Sequence, residues 1–334
     1  MIDKPAAKVL VTGAGALLGQ GIIRSIRAAA RPYAIVGVDP EPLSAGLYWC
    51  DAAYRGPMAR DPRFVETILR IIEAETPDVL IPGTDLELAL FAANRAMIEQ
   101  RTGCKILVAS PEAVAIADDK AKTSAFLAAN DFPFPPTARA TDRDAVAALV
   151  GDLGFPLIAK PRVGARSVGV RVLERAADLD LVAHDPDYIV QEHIGTPDRE
   201  FTASGLFVDG ECRAEIVMRR DLRDGNTYRA FVDDDPQLRE WVRRWTAALA
   251  AFGPANFQFR LRPDGTPVVF EINARFSGTT PLRARAGFNE VEMMLDHLLT
   301  GKPVSRPPVE PCILLRHWSE TVVSAGMVEQ VRQP

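Results

Sequence analysis

The sequence predicts an α/β layer built on a parallel sheet, continued by an α+β region of antiparallel hairpins. Three observations carry this. In the first third, short apolar runs alternate with segments of helical period, the pattern that lays parallel strands beneath crossover helices. Further on, apolar and polar residues alternate along runs joined by turn residues, which reads as hairpins. The 334 residues amount to roughly two domains, and 47% hydrophobic with 25% charged residues is the balance of a globular protein with a large core.

The first strand is Lys8-Val9-Leu10-Val11-Thr12. Gly13-Ala14-Gly15-Ala16-Leu17-Leu18-Gly19 turns it into a helical run from Gln20 to Ala30, and Ala34-Ile35-Val36-Gly37-Val38-Asp39 is a second buried strand. A glycine-rich turn at a helix N-terminus cradles phosphates, and Asp39 stands where a dinucleotide-binding fold places its ribose acceptor, so an NAD(P)-dependent oxidoreductase is one reading. The pattern is G-x-G-x-x-x-G, however, and no tyrosine is followed four residues on by lysine, as in the short-chain dehydrogenases whose fingerprint it resembles. A turn that only folds a strand onto a close-packed helix explains the glycines more simply. Residues 63–75 are helical in period, 78–82 a strand, 88–102 a helix and 105–108 a strand. Ligands gather at the carboxyl ends of parallel strands, so Asp85 and Glu87 are candidates either to face a substrate or to cap the helix that begins there.

Asp118-Asp119-Lys120 precedes a helical stretch from Thr123 to Asn130, which Phe132-Pro133-Phe134-Pro135-Pro136 breaks. A helix over 142–153 and a strand over 156–161 follow. The strand ends in Lys160, and the loop after it holds Gly164, Ser167, Gly169 and two arginines, which offers backbone N–H groups and cations to a polyphosphate. Tyr188 to Ile194 is a strand, and Phe201–Val208 turns at Asp209-Gly210 into Glu211–Val217.

The stretch Phe257 to Arg275 reads as a hairpin about Asp264-Gly265. Symmetric pairing sets Gln258 opposite Glu271 and Asn256 opposite Asn273. Parity then places Gln258, Glu271, Asn273 and Arg275 on one face, with Phe257, Phe259, Phe270 and Ile272 on the core face. Amide and carboxylate oxygens together suit a hard cation such as Mg²⁺, shared with substrate phosphates. The small polar loop Phe276-Ser277-Gly278-Thr279-Thr280 is of a kind that wraps a ligand, with Ser277 and Thr279 as candidate contacts. Two basic loops, 218–225 with Arg219 and Arg220 and 281–285 with Arg283 and Arg285, could hold a carboxylate. A helix over 289–299 and a closing strand over 312–318 end the chain.

From Lys8 to about Pro303 this order of motifs resembles the ATP-grasp superfamily, most closely its carbamoyl-phosphate-synthase-like members. The resemblance implies a Rossmann-like pre-ATP-grasp domain over 1–115, an ATP-grasp domain over 116–305 with a mobile lid at about 124–195, and a closing segment over 306–334. It implies ATP held by Lys120, Lys160, Gly164, Ser167 and Gly169 at the phosphates, by Gln191, Glu192 and Ile194 at the adenine, and by Glu200 at the ribose. It further implies Mg²⁺, with Mn²⁺ as a substitute, on Gln258, Glu271 and Asn273, and Arg275 and Lys160 as the catalytic pair. Gln258 is neutral where many members carry an acid, which leaves the number of metals open.

The net charge of −5 argues against a nucleic-acid or anionic-membrane partner, because it gives no long-range attraction for phosphate backbones. Cys50, Cys104, Cys212 and Cys312 form no C-x-x-C pair and read as buried thiols of a cytoplasmic protein without a zinc site or disulfides. No run is long enough to span a membrane, and the opening residues are no signal peptide. The function expected is an ATP-dependent ligase joining a small carboxylate to an amine or thiol through an acyl phosphate, in a chain that could pair as a homodimer. A non-catalytic ATP-binding regulatory protein is the alternative.

Overall fold

The computed structural model describes residues 7–164 and 168–334. Its first sheet is wholly parallel, in the order β3-β2-β1-β4-β5, from β1 (Lys8–Thr12), β2 (Ala34–Asp39), β3 (Ala52–Arg55), β4 (Val79–Ile81) and β5 (Lys105–Ile106). The helices α1 (Leu17–Arg27), α2 (Phe64–Glu75) and α3 (Asp85–Thr102) connect the strands. Val9 to Val11 and Val79 to Ile81 are buried, as expected of strands covered on both faces.

Two helices lead away from this layer, α4 (Pro111–Asp118) and α5 (Lys120–Ala129). Asp119 caps α5, its carboxylate accepting from the Ala121 N–H at 2.9 Å, which sets Lys120 at the first helical position. The expected division at 115/116 falls within α4. Next come β6 (Thr137–Arg139), α6 (Arg143–Leu153), β7 (Leu157–Pro161), β8 (Arg171–Leu173) and β9 (Tyr188–Glu192). Their four strands form a small sheet, β6-β9-β7-β8, over its own hydrophobic cluster from Ala138 to Val190.

The large sheet is antiparallel, in the order β14-β13-β10-β11-β12-β15. It comprises β10 (Glu200–Val208), β11 (Glu211–Arg223), β12 (Asn226–Val232), β13 (Gly253–Leu261), β14 (Pro267–Asn273) and β15 (Cys312–Leu315). On one face α7 (Pro236–Leu249) buries Trp245 against Phe257 and Phe259, with ring centroids 5.6 and 5.2 Å away. The other face carries α8 (Thr280–Arg285) and α9 (Glu290–Thr300), and the chain closes with α10 (Ala325–Glu329) and a bridge from Arg332 to Tyr54 at the edge of the first sheet. The two larger core clusters each mix residues of the first sheet's layer with residues of the large sheet, so these parts share one interior.

Four expectations from the sequence differ from the structure. Residues 218–223 are not a loop: β11 runs on to Arg223 and turns at Asp224-Gly225 into β12. Residues 281–285 are helical, not a loop. Phe270 is not core, because the register of β13 and β14 shifts between Gln258/Glu271 and Phe259/Val269. This bulge gives the inward place to Val269, fully buried, and turns Phe270 out with Glu271. The cysteines are free, and only Cys104 is buried; the other three are half-buried.

Candidate functional site

Between the small sheet and the large one lies a cleft of about 310 Å³. Strand parity decides what faces it. In β7, Leu157 and Ala159 fill the small sheet's core, which leaves Ile158 and Lys160 for the cleft, and Gln191 of β9 pairs with Ile158 on the same side. Ile158, Val172, Ile194 and Leu222 are among the cleft's apolar lining. Lys120, Lys160, Gly164, Phe270 and Glu271 line the polar part.

The floor, where Glu200, Arg220, Gln258 and Glu271 line the cleft, is part of a continuous polar chain across the large sheet that runs on to Asn273, Arg275 and Asp85 beyond the lining. Asp85 accepts from Arg275 at 2.6 and 3.2 Å, and Arg275 donates to Asn273 Oδ1 at 2.8 Å. Asn273 and Gln258 each donate to Glu271 Oε1 at 3.1 Å, and Gln258 Oε1 accepts from Arg220 at 2.7 Å. Glu200, buried, ends the chain between Arg220 at 2.7 Å and Arg260 at 2.8 Å. Arg260 also donates to the Ile194 carbonyl at 2.9 Å, and Glu192 pairs with Arg262 at 2.6 Å, so the segment joining the two sheets is pinned by cations from β13 and its turn.

Above this floor Lys160 Nζ lies 3.3 Å from the Phe270 carbonyl oxygen and 5.5 Å from the centre of its ring. Burial pulls the Lys160 ammonium down to about 7; Lys120 and Arg260 lower it further, and Glu271 and Glu200 oppose. Lys120, also buried, donates to the Gly164 carbonyl at 2.9 Å and so holds the glycine loop. Gly164 and Gly169 have φ of +141° and +77°, and a Cβ at Gly169 would lie 2.8 Å from the Tyr188 hydroxyl, so glycine is required there. Ser167 lies outside the described residues.

Among the described residues no group of three or more His, Cys, Asp or Glu could hold a metal. Glu271 supplies one carboxylate, and the amides of Gln258 and Asn273 flank it with oxygen donors. One carboxylate with amide oxygens fits Mg²⁺ when phosphate oxygens complete the shell. Both amides here turn their NH₂ groups to Glu271, and a cation among them requires each to rotate about its last side-chain bond.

The candidate substrate residues divide. Arg220 lines the cleft, but Arg219, one residue earlier on the same strand, points away, 3.1 Å from Asp221 and 3.7 Å over the Phe231 ring. Arg283 is fully buried, paired with Glu290 at 3.1 Å and Asn256 at 2.6 Å, and cannot meet a ligand. Ser277 and Thr279 are buried and bonded to each other at 2.7 Å, and Arg283 donates to Ser277 at 3.2 Å; they fix the loop from beneath. Arg285 is exposed at the end of α8 and does not line the cleft. Asp85 orients Arg275. Glu87 faces the interior: it accepts from Thr12 Oγ1 at 2.8 Å and from the turn before α3, and burial pushes its carboxyl up to about 7.

The first glycine turn is filled by the protein itself. Asp39 accepts from the Gly15 N–H at 2.7 Å and the Ser44 hydroxyl at 2.8 Å, and a Cβ on Gly15 would lie 2.1 Å from Ser44 Oγ. Its acid is committed to the turn, which favours the structural explanation. Arg260 and Phe270 line the cleft and Arg262 pairs with Glu192 beside it, and no motif in the sequence marks them. The parity that selects Gln258 also selects Arg260; the bulge that turns Phe270 has no such signal.

Residues 184–321 match a family model described as ATP-grasp in the biosynthetic pathway with Ter operon, and residues 9–107 match the PylC-like N-terminal domain. Among solved structures the chain is similar to an N5-carboxyaminoimidazole synthetase from Staphylococcus aureus complexed with ADP, at 14% identity and a TM-score of 0.71, over 93% of this chain and 82% of that one. The biotin carboxylase domain dimer of the Hydrogenobacter thermophilus 2-oxoglutarate carboxylase, with MgADP, ADP and bicarbonate, matches at 15% and 0.68, over 88% and 70%. An L-amino acid ligase from Bacillus licheniformis matches at 18% and 0.67, over 90% and 76%. Similarity at this level establishes a common fold.

Proposed function

We propose that this chain, whose residues 184–321 match an ATP-grasp family model, is an ATP-dependent ligase that activates a small carboxylate as an acyl phosphate and passes the acyl group to an amine or thiol. The observation that carries the reading is the gathering of Lys120, Lys160, Glu200, Arg220, Gln258 and Glu271 on one cleft between two sheets, with a polar chain running on from Glu271 through Asn273 and Arg275 to Asp85 beyond its lining. The cleft's apolar lining would take the adenine, beside Gln191, Glu192 and Ile194. Glu200 would accept from the ribose hydroxyls, and Lys120, Lys160, Gly164 and Gly169 would surround the phosphates.

Mg²⁺ on Glu271, Asn273 and Gln258 would neutralise phosphate charge as the bond to the leaving group stretches. Lys160, half neutral near pH 7 when the cleft is empty, would gain its proton as the triphosphate enters and then hold that charge against the terminal phosphoryl group. Arg275, kept in place by Asp85 and Asn273, would steady the equatorial oxygens. A carboxylate oxygen would form the new bond to the γ-phosphorus as the bridging oxygen departs with ADP; the amine lone pair would then displace phosphate from the acyl carbon and lose a proton to water. No protein nucleophile is needed, since positioning and electrostatic stabilisation supply the rate. Closure of the small sheet would keep water from the acyl phosphate.

The test is ADP release from Mg·ATP across a panel of carboxylic acids, each alone and with amines or thiols. Release that requires both partners supports the reading. Tight Mg·ATP binding with no release for any pair would make the chain a nucleotide-binding regulator instead.

A further inference from the structure

Arg316 directly follows β15 and carries no carboxylate partner among the described residues. Its direction is fixed by the strand: Cys312 and Leu314 turn inward while Ile313 and Leu315 are exposed, so Arg316 falls on the inward side. Arg220, Ala230 and Leu314 stand in one paired row across β11, β12 and β15, which puts Arg316 on the same face of the sheet as Arg220, beyond the cleft's own lining. The Arg316 backbone N–H donates to the Tyr228 carbonyl at 3.0 Å, and its guanidinium reaches across to the carbonyl of Gly278, in the loop three residues beyond Arg275.

The surrounding arginines are balanced differently. Arg220 and Arg260 share Glu200, Arg275 has Asp85 and Arg283 has Glu290. Arg316 is half-buried with a carbonyl oxygen as its side-chain partner, and burial together with the like charge of Arg24 pulls its pKa below the ordinary value. A cation drawn out of water without a counter-charge is costly, and an arriving anion removes that cost.

We propose that Arg316, beside the Ser277–Thr279 loop, is a binding subsite for an anionic group, carboxylate or phosphate, on the second substrate. The proposal rests on the ligase reading for the word substrate, though the anion site itself does not depend on it. A guanidinium fork matches either anion with two parallel hydrogen bonds. Because the loop joins Arg316 to Arg275, a molecule anchored at the first by its anion can extend toward the second, where the phosphoryl group is transferred.

The experiment has two arms. In the first, protein saturated with Mg²⁺ and a non-hydrolysable ATP analogue is titrated calorimetrically with inorganic phosphate, acetate and succinate. The wild type binds phosphate or the carboxylates; Arg316→Ala weakens that binding about thirtyfold, Arg316→Lys weakens it less, and nucleotide affinity stays within about twofold in both. Which anion binds tells a phosphate from a carboxylate. Equal anion affinity in wild type and Arg316→Ala, or no anion binding to the wild type, overturns the proposal. In the second arm, for any acid and amine pair that releases ADP, Arg316→Ala raises the KM of the anionic partner while the KM for ATP is unchanged; an unchanged KM for that partner also overturns it. Absence of ADP release with every pair refutes the ligase reading alone, and the titration then decides Arg316.

Discussion

Lys160 is a lysine held at about pKa 7 by burial, in the cleft proposed to take the triphosphate. Its folded value lies below the ordinary 10.5, so between those two pH values the unfolded chain binds more protons and stability rises with pH; below pH 7 the whole cost of burying the charge is present. Glu87 runs the opposite way. Its carboxyl, raised from 4.5 to about 7, keeps its proton in the folded chain across that interval, so stability falls as pH climbs from 4.5 to 7. Urea unfolding followed against pH should show the Glu87 slope in the wild type and lose it in Glu87→Gln. Nucleotide binding should likewise weaken above pH 7 and take up a proton, seen as a dependence of binding heat on the ionisation enthalpy of the buffer; Lys160→Ala should remove that dependence. Lys160→Ala and Glu271→Ala should each lower ADP release by at least about a hundredfold without a loss of melting temperature to account for it, since neither fills the core and removing Lys160 also removes the cost of burying its charge. Full activity in either variant contradicts the roles given to them.

The hairpin of β13 and β14 shows how far pattern reading reaches at the scale of an element. Alternation and the Asp-Gly turn specify that Asn256 faces Asn273 and Gln258 faces Glu271, and the strands pair that way. Symmetry about the turn also predicts Phe259 opposite Phe270, which the bulge denies, because a single extra residue leaves no mark in an alternating run. Arg219 and Arg220 fail for a related reason. A basic run reads as a loop, and as a strand it sends one arginine to each face. By contrast α7 has a legible start in Asp235-Pro236, with the Asp235 carboxylate accepting from the Gln237 N–H at 2.8 Å, yet no motif draws the eye to it. The bulge has a measurable consequence. Phe270→Ala should weaken nucleotide binding several-fold and cost little stability, while Phe259→Ala, in the core, should cost about 3 to 5 kcal/mol by chemical denaturation. Equal losses of stability would return Phe270 to the core.

At the scale of the molecule, the first layer and the large sheet share their interior, whereas the small sheet has a cluster of its own. Composition and periodicity predict the parallel layer and the hairpins, and the order of motifs resembles the family whose model matches residues 184–321. The closing segment was less legible: β15 adds an outer strand to the large sheet and Arg332 returns to the first, pairings made by residues more than two hundred positions apart in the second case. Long-range pairing of that kind has no local signature. Separate cores predict separate opening, so amide exchange over 138–190 should proceed as one unit faster than the large sheet and slow on addition of Mg·ATP.

The central claim is that Mg·ATP occupies the cleft between the small sheet and the Gln258 to Arg275 ribbon. Calorimetric titration of wild type and Glu271→Ala with ATP, with and without Mg²⁺, and with NADP as a control, measures it directly. Saturable binding of Mg·ATP that weakens at least about tenfold in Glu271→Ala, with no heat from NADP, is the predicted result. Binding of NADP in place of ATP, or Mg·ATP affinity untouched by the loss of Glu271, would contradict the account.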